Sequence, residues 1–356
     1  MRVLRTPPTD ARVERADESQ LNAPPDLRSL VSRRTVIASG LFLSAVVVLV
    51  TMPGLLGHQV GDAVRGLGSA RPIWLWSAGF AFLGTLLATS SAWRSTLALC
   101  GGHLSRSDAA ARYGVGSFVN GLSPARIGEA VRVALFTRTL EGADRGWRMA
   151  GAFGVITAMR SFVFALVVIA AAAAGALPLW PVLLLAGLVV AAAVAAFVAR
   201  DRVPRTHVAH ILDAFRALGR SPLAAARIAG WLAFSTSVRF FGAASIAAAL
   251  GVHRPLTGAL IIVPTLDLAG LIPLSGNLGI TSGAVALALQ QHGVGLPRAL
   301  ATGIAFHAVE TGAGIAFGAA GALLLFGRRR VLVLAAAAAA ACVAAAFCAT
   351  VLVPLA

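Results

Sequence analysis

Asn120-Gly121-Leu122-Ser123-Pro124-Ala125-Arg126-Ile127-Gly128-Glu129-Ala130-Val131-Arg132 is a break in the chain followed by a helix start, and it carries two Arg and one Glu. Apolar segments lie on both sides of it. In a soluble protein the stretch would be an ordinary capped helix. In a bilayer its charges need partners or water, because an isolated charge at mid-depth costs roughly 3 kcal/mol. The rest of the chain decides between the two settings.

Composition decides for the bilayer. The 356 residues are 58% hydrophobic and 12% charged, against roughly 25% charged in soluble domains. Mean hydropathy is +0.83, and several apolar runs approach the roughly 20 residues that cross a hydrocarbon core. The formal charge is +16, from 30 basic residues that are all Arg. These Arg lie between apolar runs and not in one soluble patch. That argues against nucleic acid as a partner and for positive-inside topology with contact to anionic lipid. Cys100, Cys342 and Cys348 show no CxxC or Cys/His spacing, so neither a disulfide framework nor a metal site is expected. No Walker-type, GxSxG or HExxH motif is present, and no cofactor is expected.

Charge markers then order the chain. Residues 1–34 are polar and Pro-rich and read as a disordered cytoplasmic tail. Residues 35–356 read as one transmembrane domain. A first span is expected over about Thr35–Leu56, after Arg28, Arg33 and Arg34. A second covers about Pro72–Cys100, with Trp74, Trp76 and Trp93 placed as interface anchors. Residues 109–137 are followed by Arg138, Arg145 and Arg148. A simple span there would put those Arg on the wrong side, so a re-entrant hairpin broken at Asn120–Pro124 is expected. Further spans are expected over about Ala150–Ala174, Leu179–Ala199, Ile228–Leu250, Pro297–Phe326 and Val331–Val353. The basic segment 200–227 separates two of them as an interfacial piece. Two short apolar pieces, 255–273 and 279–292, flank a second Pro/Gly break at Pro273, Gly276, Asn277 and Gly279. The expected class is all-α: a polytopic transmembrane helix bundle with two broken or re-entrant segments, of the kind that marks a transporter-type site. A multi-pass protein of the cell inner membrane with a cytoplasmic N-terminus follows from the same charges.

The first break offers a site. Ser123 can cap a helix that begins at Pro124, since Pro at the first helical position loses no needed N–H. Arg126, Glu129 and Arg132 then share one broad face, where Glu129 can pair with either Arg. A helix N-terminus with two Arg suits a phosphate, and Asn120 stands at its mouth. An amphipathic helix with its charges in water is the bland alternative. Arg160 and Arg239 sit half-way into spans and extend a polar path. Asp267, His307 and Glu310 lie in apolar surroundings and form a candidate ion pair or proton relay. Pairs such as Arg239 or Arg160 with Asp267 or Glu310 are expected, with purely structural pairing as the competing reading. Gly312, Gly314, Gly318 and Gly321 form a stripe for close helix packing.

The stretch 120–132 resembles the n-x-x-x-P-x-R-x-G-E-x-x-R signature of the lysylphosphatidylglycerol synthase transmembrane region, a flippase-like family. Pro273-Leu274-Ser275-Gly276-Asn277-Leu278-Gly279, with Gly293-Val294 and Ala299, is similar to a second region of that family. The resemblance spans about residues 35–326. Two positions depart from it: Ser282 and Met159 stand where the family often has acids. The resemblance implies a membrane domain that binds or translocates an anionic phospholipid, an aminoacylated lipid or a polyprenyl-phosphate-linked lipid. With no aminoacyl-transferase domain before the end at Ala356, the expectation is a non-enzyme. A membrane-embedded transferase, or an accessory subunit in a homo-oligomer or beside a partner enzyme, are the rivals.

Overall fold

The computed structural model describes residues 70–122, 127–142, 144–176, 205–269 and 278–327, with isolated positions between 178 and 190. These lie in one compact unit that begins at Gly54. The tail, the span at 35–56, Ser123–Arg126, most of 179–199, Pro273, Gly276, Asn277 and the last span fall outside the described residues.

Nine helices are described: α1 Pro72–Leu99, α2 Arg106–Leu122, α3 Ile127–Thr137, α4 Arg145–Ala173, α5 Arg205–Arg220, α6 Pro222–Ala249, α7 Pro255–Ala269, α8 Leu278–Gln290 and α9 Leu296–Phe326. No strand occurs among the described residues. α1, α4, α6 and α9, at 28 to 31 residues, are long and apolar enough to cross a membrane. At 1.5 Å per residue they run about 42–46 Å. Pro begins α1 and α6 and lies in the first turn of α9, where its missing N–H costs nothing.

α2 and α3 form the antiparallel hairpin that the Arg pattern requires. Arg112, early in α2, donates from Nη1 to the Leu135 carbonyl near the end of α3, at 2.7 Å. Both outer ends meet the end of α1. Arg94 donates to the Leu104 carbonyl at 2.8 Å, and Arg148, entering α4, donates to the carbonyls of Cys100 and Glu141. The chain therefore enters and leaves the hairpin at one end of the bundle, here the first end.

α7 and α8 form a second hairpin from the opposite end. The Arg71 amide, before α1, donates to the Ala249 carbonyl at the end of α6, at 3.1 Å. Arg298, opening α9, reaches the Gly251 carbonyl at 3.4 Å. Gly258 of α7 lies against Ala247. The order long helix, short hairpin, long helix thus occurs twice, as α1–α4 and α6–α9, in opposite directions. That is an inverted-topology arrangement. The amphipathic α5 lies across α4, with Phe215 3.4 Å from where a Gly154 side chain would begin.

Glycine lets the first hairpin close and dock. A Cβ on Gly128 would strike the Gly116 carbonyl and the Asn120 side chain. Against α9, a Cβ on Gly321 would sit 2.6 Å from the Ala111 carbonyl, and one on Gly318 would sit 2.5 Å from the Gly114 carbonyl. Such backbone approach is how apolar helices gain van der Waals contact in lipid. The stripe is selective: a Cβ on Gly312 meets nothing within 4 Å.

Trp93 corrects an expectation. It is 3% exposed and stacks on Phe136 of α3 at 5.0 Å, with planes 7° apart. It is a core ring that fixes α1 to the hairpin, and not an interface anchor. Trp74 and Trp76 are exposed at the other end of α1.

Gly128→Ala should destabilise the protein by about 1–3 kcal/mol, the usual cost of forcing atoms into a full core. Gly312→Ala should be neutral or stabilising by up to about 1 kcal/mol, from helix propensity alone. Thermal unfolding in one detergent compares them.

Candidate functional site

Two groups of polar side chains lie inside this apolar frame, each built from different elements. The first is inside the α2–α3 hairpin. Arg132 is 4% exposed. Its Nη1 donates to both Glu129 oxygens at 3.0 Å, and its Nη2 donates to Ser117 at 3.2 Å. The guanidinium also lies 3.9 Å over the Tyr113 ring. So Arg132 clasps the two arms of the hairpin together, and Glu129 neutralises it. Arg132 Nε and Asn120 Oδ1 are buried and have no hydrogen-bond partner. Unpaired buried polar atoms are rare and mark places where water or a ligand belongs.

The second group lies among α6, α7 and α9. Arg239 donates from Nη1 to Asp267 at 2.6 Å and from Nε to Glu310 at 3.1 Å. The three side chains are 15%, 25% and 34% exposed, and Phe306 flanks the guanidinium at 5.8 Å. One turn before Glu310, His307 bonds Thr281 of α8. Beside it, Gly303 lets the Ser282 backbone approach: a Cβ there would sit 2.8 Å from the Ser282 carbonyl. The Ser282 hydroxyl is buried without a partner.

The two groups meet on one turn of α9. Gly121, at the inner end of α2, faces Thr311, with 3.5 Å between its would-be Cβ and Thr311 Cγ2. Thr311 follows Glu310. The inner ends of α7 and α8 reach the same turn through Asp267, Arg239 and Thr281. Gly121 is about 22 Å along α2 from the first end, and Asp267 about 18 Å along α7 from the other. The described ends of α2 and α7 therefore lie near mid-depth, at His307–Thr311.

One hollow lies beside this centre and a second opens at the first end of the bundle. An apolar groove of about 450 Å³ lies between α1 and α9, lined by Trp76, Gly79, Phe80, Val309, Gly312 and Ala313 among others. Val309 is next to Glu310. A polar cavity of about 460 Å³ opens at the first end between α1 and α6, with Arg94, Arg227, His103, Ser95 and Ser105 in its wall and no acid. Sequence reasoning missed this cavity, and also Tyr113 and Ser117. Their partners come from other helices, and only the run of Arg at that end hinted at the cavity.

Arg160 stands apart. The expected pairing with Asp267 or Glu310 belongs to Arg239 alone. Arg160 is exposed half-way along α4, on a stretch that also exposes Phe153, Phe162 and Leu166. Helical geometry turns it away from the α6 side of the bundle, where Met159 and Val163 pack. Pro273, Gly276, Asn277, Ser123, Pro124 and Arg126 are outside the described residues, and Gly279 lies in the first turn of α8. No group of three potential metal ligands occurs among the described residues.

Arg239→Met should cost about 3–5 kcal/mol, because it leaves two carboxylates facing each other without their cation. Adding Asp267→Asn and Glu310→Gln to the same chain should recover most of that loss. Thermal unfolding of the single and triple variants checks this.

No curated protein and no solved structure gives a significant match to this chain. One family model does, over residues 36–318, most of the chain and all but the last turns of α9. The match covers both hairpins and the turn on which they converge. With its long apolar helices, the chain is a multi-pass integral membrane protein of lipid metabolism or transport, and it belongs to the lysylphosphatidylglycerol synthase TM region family.

Proposed function

We propose that this chain binds a membrane phospholipid with an anionic headgroup and carries it between the leaflets of the cytoplasmic membrane. One observation carries the reading: two hairpins from opposite ends meet at a polar turn of α9, and an apolar groove runs beside that turn. A phospholipid needs both chemistries at once. Its headgroup needs polar partners to leave water, and its acyl chains need an apolar surface. The polar centre beside the α1–α9 groove offers the two side by side.

The first end holds Arg94, Arg106, Arg138, Arg145, Arg148, Arg220 and Arg227, and the opposite end Arg71, Arg254 and Arg298. By the positive-inside bias the first end faces the cytoplasm. The basic cavity at Arg94 and Arg227 is then the entry for a phosphate, as basic pockets between helices are on that face. Arg126, which lies between α2 and α3 in the sequence, is a further candidate cation for the headgroup. The unpartnered Asn120 and Arg132 atoms of the hairpin supply further polar contacts. Arg160 offers the phosphate a cation at mid-depth on the lipid-facing side.

Transport fits better than catalysis. Glu129, Asp267 and Glu310, the carboxylates of the two interior polar groups, are each paired with an Arg. A general base must stand within reach of substrate, and no carboxylate lines either hollow.

Full-length protein in vesicles with fluorescent phosphatidylglycerol tests the reading. The expected result is lipid movement faster than in protein-free vesicles. Gly312→Leu, which fills the groove where no atom now stands, should reduce movement towards the protein-free rate without lowering thermal stability. Arg126→Ala should slow it with the groove intact. Wild-type vesicles no faster than empty ones would overturn the proposal.

A further inference from the structure

The Arg239 cluster has one guanidinium and two carboxylates. With all three ionised it carries one net negative charge near mid-depth. The elements packed against Glu310 offer no balancing cation among the described residues. α6 supplies Arg239 itself, and α7 supplies Asp267. α8 has no titratable residue. α1 has Arg71 and Arg94 only near its ends. α2 has Arg106, Asp108, Arg112 and Tyr113 in its outer half. α9 adds His307 and, near its start, Arg298. Arg126, which follows α2 in the sequence, lies outside the described residues.

An uncompensated charge in this setting is costly, so the cluster gains by binding one positive charge. The two carboxylates are not equivalent. Asp267 is bound at 2.6 Å and is 25% exposed, whereas Glu310 is bound at 3.1 Å and is 34% exposed. Glu310 is both the more weakly held and the more exposed. It also sits on the turn that both hairpins touch.

We propose that Glu310 is a proton-exchange site that couples the hairpins to the proton gradient. A proton from water adds to the Glu310 carboxylate and later returns to water. Only that O–H bond forms and breaks. Protonated Glu310 no longer draws Arg239, which stays with Asp267 as a neutral pair. The link between α6 and α9 is then released, while the link between α6 and α7 remains. Deprotonation restores it. The centre therefore has two arrangements that differ by one proton, the kind of discrete element through which a gradient can bias a conformation. The proposal goes beyond the lipid reading, and its test requires no lipid movement.

Infrared difference spectra of the full chain in phosphatidylglycerol vesicles, recorded across pH, read the proton directly. With 14 Asp and Glu in the chain, the proton is read in the difference between wild type and variant. The expected result is a protonated-carboxyl component that grows as pH falls, is missing from Glu310→Gln, is shifted in Glu310→Asp and is retained in Asp267→Asn. Wild-type and Glu310→Gln spectra that coincide across pH would overturn the proposal, as would follow if Glu310 stayed ionised throughout. So would a carboxylate signal that answers to sodium at fixed pH and not to pH. If Glu310→Gln fails to fold, the wild type and Glu310→Asp still decide: an identical band in both contradicts the assignment.

Discussion

Arg239 holds Asp267 and Glu310 together at mid-depth, and the interior of the bundle is arranged around that junction. Each of the three comes from a different helix. In lipid an unpaired charge is costly. The junction pairs the charges of α6, α7 and α9, and it anchors the last turn of α7 on the shared turn of α9. Breaking the junction would leave buried charge without its counterpart, which is far worse than never having built it.

The first hairpin reaches the same turn by different means. Its contacts with α9 are made at Gly114, Gly121, Gly318 and Gly321, where missing side chains let backbones touch. Its two arms are joined by Arg132, which is neutralised by Glu129 and seated on Tyr113. One hairpin is thus fixed to α9 by small-residue packing, and the other by ion pairs and a Thr281–His307 bond beside a single close glycine contact at Gly303. The difference has a consequence for motion. Close glycine packing resists sliding, whereas an ion pair can be switched by one proton. The second hairpin is the part of the frame that a change of charge can release.

Much of this arrangement was legible in the sequence. The positions of Arg138, Arg145 and Arg148 alone demanded that residues 109–137 return to the side they came from, and the Arg112–Leu135 bond shows that they do. The short apolar pieces around 273–279 were equally visible, because neither could span a bilayer. Partners were harder to read. Arg160 and Arg239 look alike as lone charges in apolar runs, and only packing tells that one meets two acids and the other faces outwards. Trp93 was misplaced for a similar reason. Trp type and position suggest an interface, but the Phe136 ring on which it stacks lies 43 residues away on another helix. That the two broken segments enter from opposite ends follows from which helix ends lie together, a tertiary fact with no local signature.

Side-specific labelling tests the inverted hairpins most directly. Single cysteines at His103, Gly142, His253 and His292, in a chain with Cys100, Cys342 and Cys348 replaced by Ser, report which face each loop occupies. Positions 103 and 142 should label from one face of the membrane, and 253 and 292 from the other. Opposite faces for 103 and 142, or for 253 and 292, would mean that a hairpin crosses the bilayer, and the shared site on α9 would be lost with it.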